Sequence, residues 1–108
     1  MIVVREYITE AGKSSFAKWF SRLNSPAAVK VTTALERITQ GNFSSAKAVG
    51  AGVSEYKIDF GPGYRIYFGR DGEMLVILLA GGSKKDQSKD IETAKAYWAD
   101  YKKRKRNK

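Results

Sequence analysis

A chain of 108 residues with a net charge of +9 is long enough for one domain around a shared core and too short for two. Its 43% hydrophobic and 29% charged residues are those of an ordinary globular protein, and the longest apolar run, residues 74–80, falls far short of the about 20 that a membrane-spanning helix needs, so no membrane partner is expected. With neither cysteine nor histidine, the chain lacks disulfides, thiolates and the commonest metal ligand and acid–base group; no metal or cofactor is expected, and any catalysis falls to Lys, Arg, Tyr, Asp or Glu.

Residues 2–8 read as a first strand, with β-branched residues early. They carry no basic segment followed by a long apolar stretch, so a secretory signal is not expected and the cytoplasm is the expected compartment. From Lys13 the period changes, because Phe16, Trp19, Phe20 and Leu23 share one face of a helix whose other face carries Lys13, Lys18 and Arg22. Ser25 as N-cap and Pro26 in the first turn start a second helix with Ala28, Val31, Leu35 and Ile38 on one face and Gly41 at its end. Residues 42–52, rich in Ser, Ala and Gly, show no period and are expected as a loop, with Lys47 a minor candidate for partner contact.

Residues 56–69 are two alternating runs meeting at Gly61-Pro62-Gly63, the pattern of a β-hairpin. Pairing Phe60 with Tyr64 across a three-residue turn sets Asp59 opposite Arg65 and Lys57 opposite Tyr67, all on one polar face. Arg70-Asp71-Gly72-Glu73 reads as a turn, and the unbroken apolar run after it as a strand covered on both faces, ending at Lys84 and Lys85. The glycines at 61, 63, 69, 72, 81 and 82 read as turn residues. A last helix places Ile91, Ala94, Trp98 and Tyr101 on one face. Six positive residues sit in the last seven, so residues 1–101 form the domain with a charge of only +3, and residues 102–108 are expected as a disordered basic tail.

The order strand, helix, helix, three strands, helix predicts an α+β fold, β-α-α-β-β-β-α, with a mainly antiparallel sheet, a helical pair on one face and the other face partly open. On that open face Lys57, Arg65 and Tyr67 meet Lys84 or Lys85, a set of cations around a phenol that suits phosphate. Metal-free RNA cleavage fits this inventory, since the RNA's own 2′-hydroxyl attacks the neighbouring phosphate and the protein only positions, deprotonates and stabilises. The plainer reading of the same residues is a solvated strand face with an Asp59–Arg65 ion pair.

The blocks Gly61-Pro62-Gly63-Tyr64-Arg65-Ile66-Tyr67-Phe68 and Gly81-Gly82-Ser83-Lys84-Lys85-Asp86-Gln87, with Tyr97-Trp98 beyond them, resemble the RelE/ParE toxin superfamily over nearly the whole chain. The likeness is greatest to its HigB-like addiction-module killer branch. It implies a RelE-like fold and a monomeric toxin of a type II toxin–antitoxin module, an mRNA endoribonuclease acting at the ribosome. It also implies a cognate antitoxin, often a helix-turn-helix protein. Carried over by position, Arg65 contacts the scissile phosphate, with Lys57 and Lys84 as further basic site residues. Tyr67 joins them as a candidate from its place on the same face. Lys85, Lys102, Lys103, Arg104, Lys105 and Arg106 are expected to bind RNA. The chain departs from ribosome-dependent relatives at Asp59, where they carry a second lysine, and at Asp90, where some carry a catalytic tyrosine. A ParE-like, non-enzymatic inhibitor of DNA gyrase and an inactive antitoxin-binding relative are the alternatives.

Overall fold

In a computed structural model that describes residues 1–107, the chain is an α+β domain of three helices and one five-stranded, mostly antiparallel sheet. The strands are β1 (Val3–Glu6), β2 (Ala46–Gly50), β3 (Val53–Ile58), β4 (Tyr64–Asp71) and β5 (Leu75–Ser83), in the spatial order β1-β5-β4-β3-β2. Only β1 runs parallel to its neighbour, β5. The helices α1 (Ser15–Ser21) and α2 (Ser25–Thr39) lie on one face, and α3 (Gln87–Arg106), entered through a 3-10 turn at Lys84–Asp86, lies on the other.

Both early helices are capped by side chains: Ser14 accepts from the Ala17 amide and Asn24 from the Ala27 amide. The N-cap of α2 is therefore Asn24 rather than Ser25, which becomes its first helical residue. Phe16, Val31, Ala34 and Ile38 pack on Tyr56, Ile58, Ile66, Phe68, Val76 and Leu78. On the opposite face Val53, Tyr67, Ile77, Leu79 and Ala80 pack under Ala94 and Trp98. The apolar run of β5 has its predicted cause, burial on two sides.

The hairpin register differs from the expected one. β3 stops at Ile58, so Lys57 faces Arg65 and Glu55 faces Tyr67, while Asp59 falls in a five-residue connection and does not face Arg65. The connection is longer because Phe60 and Gly63 close two local turns: the Phe60 amide donates to Ile58 O at 2.9 Å and the Gly63 amide to Phe60 O at 3.0 Å. Positive φ at Gly61 and Gly63 (55° and 77°) makes that path cheap.

Residues 42–52 hold a strand as well as a loop. β2 pairs antiparallel with β3 through the left-handed residues Gly50, Ala51 and Gly52, and its run of Ala and Gly carries no alternation from which a strand is read. The face expected to be open is covered by α3. Residues 102–106, expected as a disordered tail, are the last turns of α3, held by contacts of Arg104 and Lys105 with Asp100 and Asp71; Lys108 lies outside the described residues.

Gly69, Gly81 and Gly82 are strand residues, not turns. A β-carbon on Gly69 would stand 2.4 Å from Trp98 Cε3, and one on Gly81 would stand 2.1 Å from Trp19 Cε3, so the sheet accepts a tryptophan on each face only where it lacks a side chain. Gly69→Ala is expected to lower the unfolding free energy by about 1–3 kcal/mol through overpacking. In the Gly69→Ala/Trp98→Leu pair, urea denaturation should give a loss smaller than the sum of the single losses; additive losses would contradict the contact.

Candidate functional site

Two adjacent rows of side chains on the α3 face of the sheet build the site. The first is Lys57, Arg65 and Gly82 across β3, β4 and β5; the second is Lys47, Glu55, Tyr67 and Ala80 across β2 to β5. Facing residues in an antiparallel ladder share a face, so alternation within each strand brings both rows under the first turns of α3. A bulge at Tyr67/Phe68 keeps this phase, since β5 supplies Leu79 and Ala80 where β4 supplies one residue.

Arg65 is only 5% exposed, and its Nη1 donates to the Gly63 carbonyl at 2.7 Å. The same carbonyl accepts the Lys84 amide at 2.9 Å. One oxygen thus ties the guanidinium to the residue that opens the 3-10 turn, and Lys57, Lys84 and Lys85 lie exposed around it. Register sets Lys57 beside Arg65, and the Lys84 backbone shares the Gly63 carbonyl with it, but the arginine is buried rather than standing on an open wall.

Beneath Arg65 lies Glu55, 1% exposed, which the sequence reading overlooked. Its Oε2 accepts from Gln87 Nε2 at 2.9 Å and stands 3.7 Å from Arg65 Nε; its Oε1 stands 3.9 Å from Lys47 Nζ. A lone glutamate in a strand reads as a solvated residue, and only its register position opposite Tyr67 reveals it as a buried one. Asp59, expected as the partner of Arg65, is exposed in the connection, and Glu55 stands in its place.

Tyr67 is fully buried, so it does not face an open cleft. Burial pushes its phenol well above the usual range, the charges of Glu55 and Asp90 add to this, and Arg65 opposes them. The phenol therefore keeps its proton at neutral pH. Asp90, in the first turn of α3, lies against Gly82, where a β-carbon would stand within contact of its carboxyl carbon at 2.9 Å. Burial raises the Asp90 carboxyl, the Asp86 charge raises it further, and Lys89 lowers it. Arg65 Nε, the Tyr67 hydroxyl and Asp90 Oδ2 are buried without a hydrogen-bond partner among the described residues. Three such atoms beneath the start of α3 are costly and call for an explanation beyond packing.

No family model matches the chain. An uncharacterized protein of Haemophilus influenzae is 44% identical over 82 residues, which are 75% of this chain and 83% of that protein. The chain belongs to that protein's family. An identity of this size over most of both chains carries the fold across the family.

The other expected RNA contacts lie elsewhere. Lys85 is exposed beside Lys84. Lys102, Lys103, Arg104, Lys105 and Arg106 lie at the far end of α3, about 22–29 Å from its start at 1.5 Å per residue. Arg104 is spent on Asp100 Oδ2 at 2.8 Å and Ile8 O at 2.6 Å, and Lys105 on Asp71 Oδ1 at 2.5 Å. The Lys105 bond, with a second from the Tyr101 hydroxyl, holds the Asp71 carboxyl below the usual range. Lys102 lies over the Trp98 ring at 5.9 Å, while Lys103 and Arg106 are exposed. No helix among the described residues is long and apolar enough to cross a membrane.

Asp90 provides a test of the burial. Because its folded pKa is raised, the Asp90 contribution to stability is full below the unfolded carboxyl value and is lost as pH rises through the folded one. Asp90→Asn should therefore raise Tm relative to the wild type at pH 7 and lose this advantage at pH 3; an equal difference at both would contradict a buried, strained carboxylate.

Proposed function

We propose that this protein is the toxin of a type II toxin–antitoxin module, RelE/ParE-like and HigB-like in kind, and that it cleaves mRNA at the ribosome without a metal. The observation that carries the proposal is the Gly63 carbonyl, which gathers the Arg65 guanidinium and the Lys84 backbone while Lys57 faces Arg65 across the ladder. Three basic residues brought to one corner of the sheet suit a phosphodiester. In the reaction the 2′-hydroxyl oxygen bonds to phosphorus as the bond to the 5′-oxygen breaks, the 2′ proton leaving to solvent and the 5′-oxygen taking one up. Arg65, Lys57 and Lys84 stabilise the charge that grows on the phosphate oxygens.

In support, the element order β-α-α-β-β-β-β-α is the expected β-α-α-β-β-β-α with β2 added. The expected partners are a cognate antitoxin, of the helix-turn-helix kind common in this branch, and the ribosome with its mRNA; the compartment is the cytoplasm and the free toxin a monomer. A second reading, a ParE-like inhibitor of gyrase that cleaves nothing, is favoured by one feature: Tyr67 and most of Arg65 are sealed from solvent.

The recessed arginine changes the choice of probe. Removing it would strand a buried carboxylate, so Arg65→Ala confounds activity with stability. Lys84 is exposed, and Lys84→Ala should cost little stability. On translating ribosomes this variant is expected to cleave mRNA about 100-fold more slowly than the wild type. Wild-type protein that arrests growth and leaves mRNA intact would overturn the nuclease reading in favour of the second.

A further inference from the structure

We infer that Glu55 is a positioning residue for Arg65, the hub that turns the guanidinium so that its terminal nitrogens meet the substrate; this rests on the nuclease reading. Four groups converge on the one carboxylate: Gln87 Nε2 at 2.9 Å, Arg65 Nε at 3.7 Å, Lys47 Nζ at 3.9 Å and, across the ladder, the phenol of Tyr67. Arg65 Nε and the Tyr67 hydroxyl are buried donors without another partner among the described residues. At 3.7 Å the Nε stands just outside hydrogen-bond reach of Glu55 Oε2, so a small inward shift satisfies it. The other end of the guanidinium is fixed by Nη1 on the Gly63 carbonyl. Hydrogen-bonded at Nη1 and drawn by the Glu55 charge on its Nε side, the planar group is steered toward one orientation.

That arrangement costs more than it returns as stability, because a buried ion pair seldom outdoes an apolar pair of the same volume. It does fix a fork in space before the substrate arrives, which accelerates a step whose transition state carries the extra charge. Gln87, the first residue of α3, joins the same carboxylate to the helix that covers the site. Tyr67, buried and facing Glu55 across the ladder, lines this cluster and does not meet RNA.

The test combines a spectroscopic signal with kinetics. In the ¹⁵N-labelled wild type, the Arg65 Nε–H should give a resolved, slowly exchanging resonance at neutral pH, and in Glu55→Gln it should merge with the exposed arginines. On translating ribosomes Glu55→Gln is expected to lower kcat about tenfold with little change in KM. In an Arg65→Lys background the same substitution should lower kcat no further, because no fork is left to orient. A wild-type Nε–H that exchanges like bulk arginine overturns the inference even if Glu55→Gln fails to fold. Additive losses in the double variant of a cleaving enzyme overturn the role of Glu55 alone, whereas a wild type that cleaves no mRNA overturns the nuclease reading and the catalytic half of this inference with it.

Discussion

The buried pairing of Glu55 with Arg65 is the constraint to which the α3 face answers. Two opposite charges taken out of water must be accompanied by other polar groups or be expelled, and the chain accompanies them from three directions. β2 brings Lys47, β4 brings Tyr67, and α3 brings Gln87 from its first turn. The helix has to begin there, and the 3-10 turn that precedes it is tied to the hairpin by the Lys84 amide on Gly63 O. Farther along, Trp98 lies on Gly69 and completes the seal. The same face is therefore polar beneath the start of α3 and apolar beneath its middle.

This division explains how one sheet face holds a charged cluster without losing its core. The apolar part, Val53, Ile77, Leu79 and Ala94 with Trp98, anchors α3 by burial. The polar part contributes little net stability and carries strain in the form of unpartnered atoms. At the surface above this cluster stand the exposed Lys57 and Lys84, with the Arg65 guanidinium recessed beneath them. The second basic region, at the far end of α3, is of a different kind. Arg104 and Lys105 are engaged with carboxylates, and the carbonyls of a helix C-terminus are themselves complemented by cations.

Much of this was legible in the sequence wherever a side chain's period and its burial agree. Phe16, Val31 and Ile38 fall on the predicted helix faces, and the continuous apolar run of β5 announces its own double burial. Lys57 and Arg65 were expected on one sheet face and share it, though opposite each other rather than opposite Tyr67 and Asp59. What failed to show was register and cover. Alternation is indifferent to whether Asp59 or Lys57 faces Arg65, because that depends on how Gly61 and Gly63 bend the connection. The low-propensity strand β2 is made by its pairing with β3 and not by its own residues. Glu55 looks solvated in isolation; the packing face of α3, Ile91, Ala94, Trp98 and Tyr101, follows from its period, but the side of the sheet that it covers does not. Gly69, Gly81 and Gly82 did carry a signal, since glycine inside a strand marks a close approach, here of Trp98, Trp19 and Asp90.

The central proposal, that Arg65, Lys57 and Lys84 serve cleavage by the RNA's own 2′-hydroxyl, is tested most directly on a programmed ribosome. The purified protein is added to a message cut at a mapped position and to the same message with a single 2′-deoxynucleotide there. The account predicts that the all-ribose message is cut, leaving a 2′,3′-cyclic phosphate, and that the substituted one survives at that position. Cleavage of the deoxy-substituted message at the same bond would contradict it.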